Sequence, residues 1–271
     1  QWVIMSNFII AYTDSSEKIR KFYKYLVLAG IALFIALVYT FPLTTWFEGR
    51  LGSNAILGMN PNRIGLHLTV STITALYMYI DSKKKSYLTA LVIFITTIVL
   101  TGSRKALFIL VFGMIGLIYL SSKNITKKAN TVMIGLLVTV IGYFALTTIQ
   151  PLYEIAGYRI EAVFDSILGG GNSDESLNIR KLLLDSAQHL FFKKPFIGYG
   201  MGSFGAVSGY GTYTHNNYLE LLVGMGVLGT TIYYSVYIYV INNLFKVRQY
   251  FQSNVLLIIM ISLVVMEYAL V

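Results

Sequence analysis

Arg104, Arg180 and His215 stand where packing alone does not ask for them. On a helical wheel of about 100° per residue, Leu177, Leu183, Leu184, Ala187, Leu190 and Phe191 form one apolar stripe with Arg180 in its middle. Burying an unpaired guanidinium is costly, so Arg180 calls for an anion. An internal ion pair with Asp165 or Glu220 would meet that need as well as a ligand would. Arg104 lies in TGSRKAL, at the tip of a hairpin between two apolar runs. Residues 87–120 number 34 and as helix would rise ~51 Å, short of the ~60 Å needed to cross a bilayer core twice. The tip is therefore expected to be slightly sunken. Gly102 and Ser103 permit a tight turn whose N–H groups are expected to face an anion. The alternative is an interfacial arginine reaching lipid phosphate.

His215 and Asn216 open the apolar run that begins THNNYLELLVGMGVLG. A histidine at such a helix start is often no more than a cap or a headgroup contact. Beneath it, Leu219, Leu222, Gly226 and Gly229 lie within about 40° of one helical face, where the glycines would admit another helix. Asn216 and Glu220 share a neighbouring face, and Glu220 is expected more than one turn into the membrane, where an ionisable group marks function. A histidine with an acid nearby can serve as general base. His67, within a run, and His189, on the polar side of its helix, are weaker candidates.

These residues sit in a chain of 271 residues, 56% apolar and 12% charged, with mean hydropathy +0.66. Soluble domains carry about 25% charged residues, so a soluble enzyme, a disordered tail and a nucleic-acid module are excluded. The net charge of +9 does not rescue the last of these, because a nucleic-acid binder needs a hydrated basic surface. Apolar runs near 1–12, 22–42, 64–80, 87–101, 106–120, 131–149, 216–245 and 254–271 predict an all-α polytopic bundle with about six full spans. A start at Gln1 and an end inside the last run lead to the expectation of a longer parent protein, and the first residues lack a signal peptide's basic region. Cysteine is absent, removing disulfides and thiolate chemistry.

Basic residues set the orientation. Lys18, Arg20, Lys21 and Lys24, Lys83 to Lys85, Lys123, Lys127 and Lys128, then Lys246 and Arg248 fall in alternate connections and can share the cytoplasmic side. The remainder, Arg50, Arg63, Arg104, Lys105, Arg159, Arg180, Lys181, Lys193 and Lys194, then face outside. Of 14 lysines ten are inside, and of seven arginines five are outside. Arginine's planar fork suits phosphate or carboxylate; chance is the alternative for so small a sample.

The expected organisation is N-terminal transmembrane helices over 1–149, an extracytoplasmic loop over 150–214, and C-terminal transmembrane helices over 215–271. In the loop, Leu152, Ile155, Ile160, Val163, Phe164 and Ile167 predict an interfacial helix. A Gly169-Gly170-Gly171 hinge follows, and Asp174 and Glu175 then open a second helix. Long ordered loops are usually functional. Gly200, Gly202 and Gly205 spell a dinucleotide fingerprint, but without a βαβ unit they read as a turn. The scattered acids support no metal site.

At these residues the chain resembles the O-antigen ligase and O-antigen polymerase superfamily. The family pattern H-[N/S/Q]-x9-G-x-x-[G/T/Y] is matched by His215, Asn216, Gly226 and Gly229. TGSRKAL resembles the family's (T/S)-G-S-R turn, and Ile179, Arg180 through KKPFIGYGMGSF to THNNYLELL resembles its loop signature. NPNRIG, Asn60 to Gly65, is similar to an earlier family segment. The resemblance covers roughly 42–245, with the His215 segment most specific. Lys105 departs from the small residue often found after the turn arginine.

The resemblance implies a GT-C-type glycosyltransferase of a bacterial cytoplasmic (inner) membrane, acting on the outer side without cofactor or metal. Its donor would be an oligosaccharide on undecaprenyl diphosphate, its acceptor a glycan or lipid-linked glycan, with membrane lipid around it and no nucleic acid. It implies that Arg104 and Arg180 bind the donor diphosphate and that His215 takes or positions the acceptor's proton. Arg159, Lys105, Asn216 and Glu220 are the accessory binding candidates. Polymerase stands ahead of ligase, because abundant Lys, Ile, Asn and Tyr fit an AT-rich genome and a capsule polymerase. A transporter or flippase of polysaccharide intermediates is the alternative; it would predict polar span centres and discontinuous helices in related halves.

Overall fold

A computed structural model describes residues 15–52, 60–168 and 175–267. The expectations placed on residues 1–12, on Gly169-Gly170-Gly171 and on Asp174 lie outside these, as do the side chains of Val163, Phe164, Ile167, Glu175 and Leu177. The described residues form helices and no strand: α1 Ser16–Thr40, α2 Pro61–Ser82, α3 Lys85–Leu100, α4 Arg104–Ser121 and α5 Ile125–Thr148. A helical turn Gln150–Leu152 and a π turn Tyr153–Gly157 lead to α6 Tyr158–Leu168. Then come α7 Glu175–Lys193, α8 Phe204–Ser208, α9 Asn217–Lys246 and α10 Phe251–Glu267. The chain is an all-α polytopic membrane protein. Helices α1, α4, α5 and α9 are long and apolar enough to cross a membrane, while α3 and α10 are apolar but shorter.

Two compact units share the chain. The first runs to Tyr158 and regains Val247–Ile259; the second comprises Arg159–Lys246 and continues from Met260.

In the first unit α2 is central, packed against α1, α3 and α4. Asn60 caps it, its Oδ1 accepting from Arg63 N at 3.0 Å, and Pro61 fits the first turn because its missing N–H would be unpaired there. Buried Thr69, Thr72 and Thr74 return their hydroxyls to carbonyls one turn back, at 2.9, 2.7 and 3.0 Å. That satisfies them without water and explains why a protein-buried helix can be so rich in hydroxyls. Helix α5 has no buried residue and exposes Met133, Leu136, Leu137 and Ile141, a surface suited to lipid rather than water. At one end of the unit the edge-on Tyr23 and Tyr77 rings, 5.1 Å apart, and an Arg20–Asp81 ion pair of 2.8 Å join the start of α1 to the end of α2. The lysines around 18–24 and 83–85 therefore share one end, and the Arg50 and Arg104 region lies at the other.

The interfacial placement expected for Ile155 is corrected. Ile155 and Ala156 are fully buried in the first unit's apolar core, because the π turn packs on α3 and α5.

In the second unit α7 packs on α8 and α9 through Leu183, Ala187, Leu190, Phe204 and Val223. Helix α9 is broken at Gly226, whose φ of 62° and ψ of −170° are not helical. Tyr218 and Tyr234 stack with ring centroids 5.0 Å apart, whereas 16 residues of straight helix would separate them by ~24 Å. Residues 217–225 therefore fold back beside 227–246. The expectation of one span over 216–245 is corrected accordingly: residues 227–246 suffice, since 20 helical residues rise ~30 Å.

Candidate active site

The TGSR turn lies in the first unit, and its Thr101, Gly102 and Ser103 are buried. Ser103 caps α4, its Oγ accepting from Ala106 N at 3.3 Å. Gly102, at φ 57°, donates to Val99 O at 2.9 Å, and Ser103 N donates to Thr101 Oγ1 at 3.3 Å. These N–H groups close the turn, so the expectation that they face an anion is corrected. Charge at this corner comes instead from Arg104 and Lys105, both half-buried in the first turn of α4, a turn without an acid. Two cations stand at the positive end of a helix dipole, where an anion is the stabilising neighbour. Arg50 joins them: its Nε donates to Thr101 O and its Nη2 to Asn62 Oδ1, both at 3.0 Å. Sequence reading missed Arg50 as a site residue; its place among the outer arginines and Asn62 within NPNRIG were the available signals.

The second unit holds Arg159, Arg180, His215, Asn216 and Glu220. Arg180 is half-buried on α7, one turn before the buried Leu183. Arg159 is half-buried in the first turn of α6. His215 occupies left-handed backbone, φ 59°, with its ring 4.1 Å from that of Tyr213. The next residue explains the corner. Asn216 is 4% exposed, and its Oδ1 accepts from Tyr218 N at 3.0 Å and Leu219 N at 3.3 Å, capping α9. Thr214 Oγ1 donates to Asn216 O at 2.6 Å and accepts from Asn216 N at 3.1 Å. Glu220 Oε2 accepts from Thr214 N at 2.9 Å. Asn216 and Glu220 are thus the clamps that hold the tight corner at His215. Glu220 does not lie one turn deep in a straight span, because its segment folds back. Asn216→Ala is expected to destabilise the chain by about 0.5–2 kcal/mol, the worth of a helix cap, read as a lower thermal midpoint that Asn216→Asp restores.

A cleft of about 420 Å³ opens at this corner, lined by Leu184 and Gln188 of α7 with Asn216, Tyr218 and Leu219. His67 and His189 are both exposed.

The motif glycines also differ from expectation. Among the described residues it is loop backbone, not a second helix, that approaches Gly226; a Cβ there would overlap the backbone of Phe196 and Ile197. The loop after α7 threads the break. Tyr199 N and Gly200 N donate to Val223 O and Gly224 O at 2.9 and 2.8 Å, while Val227 N donates to Pro195 O at 2.8 Å. The backbone groups freed on both sides of the break are thereby satisfied. Gly229 makes room for Met225, whose Cβ lies 2.5 Å from the position a Gly229 Cβ would take. Gly200 belongs to this loop, Gly202 to the turn that follows it, and Gly205 lies within α8.

The family model described as O-antigen ligase matches residues 89–234, 146 of the chain's 271 residues. No curated protein and no solved structure matches significantly. The matched span takes in the TGSR turn, Arg159, Arg180, the threaded loop and the His215 corner, and the chain belongs to the O-antigen ligase family, membrane enzymes of the O-antigen ligase and polymerase type.

Proposed function

We propose that the chain transfers a glycan from undecaprenyl diphosphate to a sugar hydroxyl on the outer side of a bacterial cytoplasmic membrane, as a polymerase ahead of a ligase. The acceptor oxygen attacks the anomeric carbon, the bond from that carbon to the diphosphate oxygen breaks, and configuration inverts. His215 receives or positions the hydroxyl proton, and Arg104 and Arg180 meet the charge that develops on the departing diphosphate. Lys105 and Arg159 are secondary anion contacts. The observation carrying this reading is the His215 corner, a histidine presented on left-handed backbone within the family's matched span. The paired cations at the α4 N-terminus support the diphosphate assignment.

Purified full-length protein given undecaprenyl-diphosphate-linked repeat units is expected to produce a ladder of longer glycans. A ligase would need a separate acceptor, and a transporter would give no ladder. The transporter alternative draws some support from the broken α9, so this distinction matters. Arg104→Ala and Arg180→Ala are each expected to slow elongation roughly ten- to hundredfold, the kinetic equivalent of a charge-assisted hydrogen bond. Normal elongation by both, together with His215→Ala, would refute the mechanism.

A further inference from the structure

Glu267 ends α10, an otherwise apolar helix, and its carboxylate is held by three tyrosines of the second arm of α9. Tyr233 and Tyr237 each donate to Oε1 at 3.0 Å, and Tyr234 donates to Oε2 at 2.5 Å. Tyr233 and Tyr237 hydroxyls also lie 3.2 Å apart. An ionisable group in an apolar helix is expensive unless it is well supplied with partners, and three phenols supply them. The cluster continues across the break: Tyr218 stacks on Tyr234 and donates to Val264 O at 2.7 Å. Tyr218 is also one of the two residues whose N–H groups Asn216 caps. A continuous set of contacts thus runs from Glu267 through Tyr234 and Tyr218 to the residue beside His215.

We propose that Glu267 is a positioning residue for glycan transfer: by gathering Tyr233, Tyr234 and Tyr237 it holds the folded-back arm 217–225 against 227–246 and so sets where the His215 corner stands. This rests on the reading of His215 as the residue that handles the acceptor proton. It makes the break at Gly226 a designed reversal with two fasteners, the threaded loop at its apex and the tyrosine–carboxylate cluster at its open end.

The test uses the full-length protein, with spin labels at Asn217→Cys and Val236→Cys. A straight helix would hold these positions roughly 28 Å apart, so the folded-back arms give a clearly shorter, narrow distance. Glu267→Ala is expected to broaden and lengthen that distance and to lower kcat by up to about a hundredfold, as a small misplacement of a reacting group can, with the donor KM little changed. Glu267→Gln, which still accepts from the hydroxyls, is expected to restore most of both. Tyr234→Phe keeps the stacked ring and removes one hydroxyl, and serves should Glu267→Ala fail to fold; it is expected to broaden the distance in part. A narrow, short distance in Glu267→Ala or in Tyr234→Phe would overturn the proposal, whatever the activity. A broadened distance in Glu267→Ala together with full activity of His215→Ala would leave the positioning of the arm standing and sink the catalytic reading instead.

Discussion

Replacing His215 by asparagine is expected to lower kcat for glycan transfer by ~10²–10⁴-fold, the usual contribution of a positioned general base. Asparagine is the informative substitution because of the backbone. His215 sits at φ 59°, a conformation that asparagine adopts more readily than most residues and alanine does not. His215→Ala would therefore mix loss of the imidazole with strain at the corner. Its effect on the Thr214–Asn216–Glu220 clamp could pass for a chemical effect. His215→Gly relieves the strain and completes the set. If the imidazole acts on the proton, all three variants lose kcat together while the thermal midpoint falls only in His215→Ala. If His215 is merely a corner residue, activity follows stability, and His215→Asn and His215→Gly remain as active as the wild type.

Helices α1, α4 and α5 were legible because each is written as a run of apolar residues of the right length. The run near 106–120 is helix Arg104–Ser121, and that near 131–149 lies on Ile125–Thr148. The partly buried Arg180 beside buried Leu183, Ala187 and Leu190 followed from wheel arithmetic, which holds wherever a helix is continuous. The same arithmetic failed at Gly226, because a wheel assumes an unbroken period and one glycine in an apolar run looks like a packing site. What breaks the helix is the loop from Pro195 to Gly200, which supplies partners to both severed ends; that pairing lies 24 to 32 positions away and leaves no local pattern. Arg50 and Glu267 escaped for the same reason. Arg50 bonds to Thr101, 51 positions on, and Glu267 to tyrosines 30 to 34 positions back. The chemistry-bearing residue types could be read from spacing, but the contacts that position them are long-range.

Gly226→Ala is expected to cost the chain its second unit. Backbone at φ 62° and ψ −170° is essentially reserved for glycine, and forcing another residue into it costs about 1–3 kcal/mol. The new Cβ would also run into the carbonyl carbon and oxygen of Phe196, which are backbone and cannot swing aside as a flexible side chain could. The chain could escape by continuing the helix through residue 226. That route is costly on two counts. A straight α9 of 30 residues would be ~45 Å long, well beyond a 30 Å core. Straightening would also strand the N–H groups of Tyr199 and Gly200, now bonded to the Val223 and Gly224 carbonyls that the break frees. Gly226→Ala is therefore expected to lose the thermal transition of the folded protein in detergent, and elongation with it. Gly142 gives the contrast, since it lies within α5 with nothing within 4 Å of an added Cβ. Gly142→Ala is expected to raise stability by about 0.5–1 kcal/mol through helix propensity. Gly229→Ala should fall between the two, since the atoms nearest its Cβ are those of the Met225 side chain, led by Met225 Cβ at 2.5 Å, and not a backbone carbonyl. That order of Gly226, Gly229 and Gly142 follows only if the helix reverses at Gly226. A Gly226→Ala protein as stable as Gly142→Ala would mean that the helix runs straight, and the folded-back arm would have to be abandoned.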